Sequence, residues 1–160
     1  DKVHVDVRYE NGAQQTLLNG RDVSALIRTQ EAGSAASAVS RYAPVRAMLV
    51  RRQQEMAQGQ SMLLDGRDSG TVVLPDATVK IFLTASPEVR ARRRMAQLRE
   101  KGDETPFEQI LSEVNARDQQ DTTRALTPLR QAADAILVDA SDLSFDETVQ
   151  AILSHVEAKK

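Results

Sequence analysis

Cysteine is absent from the 160 residues, and aromatic residues make up only 3% of them. Without thiols there is no disulfide staple and no thiolate metal site. With so few aromatic rings, the core must be built from Leu, Val, Ile and Ala. Histidine is almost as scarce. His4 and His155 are too few and too far apart in sequence for a metal cluster or a histidine-based triad, which leaves them structurally incidental. No stretch is long and apolar enough for a membrane span or a signal peptide, so a cytoplasmic location is the simplest expectation. Neither acidic nor basic residues predominate. The 21 Lys and Arg against 23 Asp and Glu give a net charge of -2, which exerts no global pull on nucleic acid or anionic membrane. Any anion site must therefore be local.

What is present suits one domain, with room for a small appendage, and a chain of this size buries about 70% of its unfolded surface on folding. Val3 to Tyr9 alternates in strand fashion, and Asn11-Gly12 supplies a tight-turn dipeptide before Gln14 to Leu18, so a hairpin opens the chain. Asp22 is placed to cap a short helix through about Arg28. A loop through Gly33 then leads to helical sequence interrupted at Pro44 and resumed through Met56, with Gly59 as its stop signal. From Ser61 the pattern changes. Met62 to Leu64, Val79 to Leu83 and Ala135 to Val138 are short apolar runs separated by strong helices, the signature of buried parallel strands with helical crossovers. Ser86-Pro87-Glu88, Thr105-Pro106-Phe107-Glu108 and Ser144-Phe145-Asp146-Glu147 mark three helix starts, the last two as capping boxes. Three strands make a thin sheet, and the missing part most naturally precedes Asp1.

Three polar constellations could carry chemistry. Asp65-Gly66-Arg67-Asp68-Ser69-Gly70-Thr71 follows directly on the first apolar run, where open α/β folds place ligands. Arg67 can grip a phosphate bidentately, and a nearby carboxylate can hold Mg²⁺ through water. The plain alternative is a glycine-rich turn with a local salt bridge. At about 100° per residue, Arg117, Asp121 and Arg124 share a helix face, and the acid can aim both arginines at one anion. A solvated ladder of surface ion pairs explains the same spacing. Arg90, Arg93 and Arg94 also share a face, and their mutual repulsion calls for a facing anion such as a polyphosphate. Compensation by Glu88 and Glu100 is the alternative. Nucleic acid fits less well, because no aromatic platform accompanies the cluster.

In this order and on these elements, the motifs resemble bacterial cytidylate kinases along essentially the whole chain. The matching pieces are Asp22-Val23-Ser24 with Ile27-Arg28-Thr29, Ser37 before Pro44-Val45-Arg46, Asp65-Gly66-Arg67-Asp68 with Gly70-Thr71-Val72-Val73, Lys80-Ile81-Phe82-Leu83, Arg117-Asp118 with Asp121 and Arg124, and Pro128-Leu129 before Ala133-Asp134-Ala135. The resemblance implies transfer of the γ-phosphoryl group of ATP to CMP or dCMP with Mg²⁺, giving CDP or dCDP. It assigns Ser37, Arg46 and Asp68 to the cytosine, Arg67 and Arg124 to the acceptor phosphate, and Arg117 and Asp121 to the sugar side. Asp65 becomes the strand-end acid near the metal, acting through water, and Arg90, Arg93 and Arg94 become lid cations that neutralise the transferring group. Departures from the family pattern are Ser69 where an apolar residue is usual, Gln54 where an Arg is common, and Gln120 where a basic residue can occur.

The fold expected on this basis is α/β: a P-loop kinase-like parallel sheet with helical crossovers. A small α+β monophosphate-binding insertion would occupy residues 1-33, and the core domain residues 34-160, with an Arg-rich lid at about 88-118. No G-x-x-x-x-G-K-[ST] occurs in the 160 residues, and the resemblance places that loop, with the first βα unit, before the hairpin. The chain as written is therefore expected to be inactive alone and to self-associate through an uncovered sheet edge, although the family implies a monomer. Its partners are CMP or dCMP and ATP, with neither nucleic acid nor membrane. A non-catalytic nucleotide-binding or interaction module, and a phosphotransferase with another pyrimidine acceptor, remain alternative readings.

Overall fold

Two Asn-Gly dipeptides shape the first part of the chain. Asn11 (φ 53°) and Gly12 (φ 78°) both adopt positive φ, as a two-residue hairpin turn matched to strand twist requires. They join β1 (Val5–Glu10) to β2 (Ala13–Leu18), antiparallel from Val5 opposite Leu18 to Glu10 opposite Ala13. Asn19 (φ 51°) and Gly20 (φ 82°) repeat the geometry and turn the chain into β3 (Arg21–Asp22), which pairs with the end of β2. This third strand is not foreseen in the sequence reading, although the dipeptide that makes it is the same. The computed structural model describes residues 3–40, 42–59, 61–124 and 126–159, with the side chains of Gln30, Ser34 and Ser37 outside that description.

The chain divides into two compact units, Asp1–Leu49 and Val50–Lys160. In the first, Asp22 does not cap a helix. Its carboxylate accepts from the Ser24 backbone N–H at 2.8 Å and from the Ser24 hydroxyl at 2.6 Å, and that hydroxyl accepts from the Thr16 N–H on β2. The local side-chain bond outcompetes a cap, and only a single 3₁₀ turn, Leu26–Arg28, follows. Gly33 also departs from expectation. It lies inside α1 (Gln30–Val39), which Thr29 caps by accepting from the Ala32 N–H. The helix α2 (Ala43–Ala57), which belongs to the second unit from Val50 on, takes Pro44 in its first turn and ends before Gly59, which has φ 73°.

In the second unit, β4 (Ile81–Thr84) and β5 (Ile136–Asp139) run parallel, with Ile81 opposite Ile136 and Thr84 opposite Asp139. Two of the three expected strands therefore form. Met62 to Leu64 forms no strand, and Leu63 is 90% exposed. An apolar run becomes a strand only where a neighbour completes its ladder, and among the described residues no strand pairs with it. The strands that do form are also less enclosed than expected. Val138 is buried, whereas Leu83 and Leu137 are each more than half exposed.

Three helices complete this unit. Ser86 caps α3 (Pro87–Arg99) through the Val89 N–H, with Pro87 at the first helical position. Gly102 (φ 79°) ends it, and the Asp103 N–H returns to the Leu98 carbonyl, a C-terminal closure that glycine favours. Thr105 does not cap α4 (Phe107–Thr123). Asp103 accepts from both its N–H and its hydroxyl, so the helix starts one residue later with Pro106 before it. Ser144 and Glu147 form the expected capping box on α5 (Phe145–Glu157). The core gathers Val73, Ala85, Ala91, Ile110, Val138 and Ala140. Ala91 of α3 and Ile110 of α4 are the most deeply buried of the two helices, with 0% and 1% exposure. Ile110→Ala should destabilise the protein by about 2–5 kcal/mol through lost burial and a residual cavity. Ser144→Ala should cost only about 1 kcal/mol. Denaturant unfolding of both variants checks the order, and equal losses would contradict it.

Candidate active site

A cleft of about 430 Å³ opens along the length of β4, from Lys80 at its amino end to Thr84 at its carboxyl end, the end where parallel sheets commonly bind ligands. Its polar walls include Asp65, Arg67, Arg90, Asp118 and Asp121. The segment after Asp65 is shaped by its own backbone. The N–H groups of Thr71, Val72 and Val73 converge on the Asp68 carbonyl, and the Leu74 N–H reaches the Ser69 carbonyl at 2.7 Å, making one π-helical turn over Ser69–Val73. Such turns are rare and concentrate at functional sites. Buried Val73 anchors the turn, and the Gln54 side chain donates to its carbonyl at 3.0 Å.

The last turns of α4 bring the charges together. Asp121 accepts from Arg67 Nε at 2.9 Å and lies 3.3 Å from Arg124 Nη2. The face expected to hold Arg117, Asp121 and Arg124 is only partly realised, because the helix stops at Thr123 and Arg124 is extended (φ -61°, ψ 141°). Arg124 returns to Asp121 from outside the helix. Arg117 is exposed and acts on Asp118 by charge alone. Arg124 Nε is buried without a hydrogen-bond partner among the described residues, a donor whose desolvation is uncompensated.

Asp118 holds Arg90 with a two-pronged ion pair, Nη1 to Oδ1 at 2.8 Å and Nη2 to Oδ2 at 2.6 Å, while Arg90 Nε donates to the Ala85 carbonyl at 2.9 Å. Arg93 Nη2 donates to the carbonyls of Ala140 (2.7 Å) and Leu143 (2.9 Å). The arginine cluster on α3 is thus reconciled with its own repulsion internally. One member meets a carboxylate, one meets carbonyls beyond β5, and Arg94 stays exposed. At the opposite end of the strands Lys80 Nζ binds both Asp134 oxygens, at 2.8 and 2.7 Å, and the Pro75 carbonyl.

Of the residues singled out in the sequence, Asp65, Arg67, Arg90 and Asp121 line one cleft, and Arg124 joins them through Asp121. Asp68 sits at the start of the π turn, whereas Arg93, Arg94 and Arg117 are outside the cleft lining. Arg46 belongs to the first unit, on α2, and Ser37 to α1, with its side chain outside the described residues. Asp118 and Lys80 stand in the matching motifs, but the sequence gives neither of them a role. No local pattern announces either, since their partners lie 28 and 54 residues away. Among the described residues no group of three potential metal ligands occurs.

A family model described as cytidylate kinase matches residues 2–158. The chain belongs to the cytidylate kinase family. Membership makes it a nucleoside monophosphate kinase by descent, and the mixed α/β unit with its parallel strands is consistent with a P-loop kinase-like fold. Cytidylate kinases of Citrobacter koseri, Escherichia coli K12 and Shigella boydii are each 48% identical to it over 158 residues, covering 98% of this chain and 70% of each relative.

The Asp118 carboxyl lies below its ordinary value of 3.8. The hydrogen bonds from Arg90 are the main cause, partial desolvation opposes them, and the charges of Arg90, Arg67 and Arg117 add to the lowering. A carboxyl lowered in the folded state stabilises above its unfolded pKa, and the contribution is lost as pH falls through the folded value. Thermal stability should therefore owe a constant increment to this pair above about pH 5 and lose it below about pH 4. Melting curves of the parent and Asp118→Asn should converge on the acid side, and parallel curves down to pH 3 would contradict the assignment.

Proposed function

We propose that the chain serves the transfer of the γ-phosphoryl group of ATP to CMP or dCMP, in the cytoplasm, and that the cleft along β4 is where the acceptor phosphate meets it. The supporting observation is the convergence of Arg67 and Arg124, from separate elements, on the single carboxylate of Asp121, with one donor of Arg124 left over. Two guanidinium groups held apart by one acid form a preorganised anion seat, since planar forks match phosphate oxygens bidentately.

In this reading Asp121 and Arg117 face the sugar side, and Ser37, Arg46 and Asp68 read the cytosine. A carboxylate and a hydroxyl can accept from the base's amino group, while a guanidinium donates to its carbonyl and ring nitrogen. Residues 1-33 act as the monophosphate-binding insertion and residues 34-160 as the core, with the arginines of α3 in a lid at about 88-118. Arg90, Arg93 and Arg94 supply positive charge toward the transferring group, and Arg93 also donates to the Ala140 and Leu143 carbonyls beyond β5. Exposed Asp65 at the cleft wall suits Mg²⁺, which commonly takes one or two carboxylates together with water and phosphate oxygens. Bound there with ATP, the ion would offset charge between the phosphates. Everything else the chain contributes is positioning and charge neutralisation, with no covalent chemistry of its own.

Arg124→Ala should weaken CMP binding, seen by calorimetry and as a raised acceptor KM, by about 10- to 100-fold, the worth of a charge-assisted contact. Unchanged CMP affinity would sink the acceptor assignment. Asp68→Ala and Arg46→Ala should relax the preference for CMP over UMP and AMP by about 1–3 kcal/mol while leaving ATP binding alone. Retention of the parental preference by both variants would remove them from base reading.

A further inference from the structure

An arginine on a cleft wall with no ligand present must still place its five N–H donors somewhere. Arg90 places three of its nitrogens: Nε on the Ala85 carbonyl, and the two Nη atoms on the two oxygens of Asp118. The pair is not sealed in the core. Both side chains are 37% exposed and both line the cleft. A bidentate pair of this kind is strong enough to set the direction of the guanidinium, yet sufficiently hydrated to be exchanged for another anion. Asp118 would not be stranded by that exchange, because Arg67 and Arg117 also direct positive charge at it.

We propose, on the reading of this cleft as a site for nucleotide phosphates, that Asp118 is a positioning residue that parks Arg90 over the cleft and yields it to a polyphosphate. The carboxylate presents the guanidinium with the same two-oxygen face that a phosphate does, and so occupies the fork in its place. On binding, Arg90 moves from Asp118 to the phosphate oxygens. Asp118 remains ionised beside Arg67 and Arg117. Part of the phosphate affinity is used to displace Asp118, which favours a multiply charged polyphosphate over weaker anions.

The test is a double-mutant cycle on binding of inorganic tripolyphosphate, measured by titration calorimetry with the parent, Arg90→Ala, Asp118→Asn and the double variant. Asp118→Asn should tighten binding by about tenfold, because apparent affinity scales with the fraction of molecules in which Arg90 is available. In the Arg90→Ala background the same change should shift affinity by less than about twofold, the limit of ordinary additivity. Asp118→Glu, which keeps the charge, should return affinity toward that of the parent. A merely structural carboxylate would weaken binding when neutralised, and a general loss of negative charge would tighten it equally in both backgrounds. Either result overturns the proposal, as does failure of all four proteins to bind tripolyphosphate. Should Asp118→Asn fail to fold, carbon and nitrogen NMR of the Asp118 carboxyl and the Arg90 guanidinium in the parent decides the matter: both signals should move together during the titration, and fixed signals overturn the proposal. Loss of the acceptor assignment would appear separately, as CMP affinity indifferent to Arg124→Ala, with the Arg90–Asp118 cycle unaffected.

Discussion

Two carboxylates three residues apart on α4 organise the second unit's charges. Asp118 and Asp121 fall on one face of the helix because residues at this spacing lie one above the other. Asp118 binds an arginine from α3, and Asp121 binds one from the segment after Asp65 and another from just beyond its own helix. Remove these acids and three guanidinium groups would repel one another around a half-enclosed volume. With them, the positive charge is retained but given direction. The α4 terminus is thus a common support for α3, the segment after Asp65 and the chain just beyond α4.

The strands provide the frame in which that support works. The parallel register ends level, with Thr84 opposite Asp139, and the chain leaves both strands at the same height. Beyond them the Ser86 N–H donates to the Ser141 hydroxyl at 2.9 Å, and Asp139 accepts from the Ser141 N–H and hydroxyl. Arg93 adds two bonds from α3 to the same turn. The start of α3 is therefore tied to the end of β5, which fixes where Arg90 emerges. At the other end of the strands the Lys80 ammonium, on a side chain only 8% exposed, draws Asp134 and the Pro75 carbonyl together. That ties the segment carrying Arg67 and Asp68 to the turn before β5. A buried ammonium is tolerated only with such partners.

Much of this was legible in the order of residues. The first Asn-Gly turn, the Ser86-Pro87 helix start, the Ser144 capping box and the two strands that pair in parallel follow from patterns within a few positions. The misreadings share a cause. Asp22 and Thr105 are good capping residues by type, but each has a competing partner two residues away. Met62 to Leu64 has a strand's composition, yet composition does not supply a neighbour.

The order of residues was enough for the first hairpin turn, the Ser86 and Ser144 caps, the apolar runs and the family, because each depends on groups that meet within one or two turns of backbone or on an ordered set of motifs. Tertiary structure alone decided that Arg90 meets Asp118 across 28 residues, and that Arg67 meets Asp121 and Lys80 meets Asp134 across 54. Arginine and lysine stems reach several carboxylates equally well. Which one each finds is settled by helix packing and strand register, and those are set by the burial of residues such as Ala91, Ile110 and Val138 that carry no charge at all.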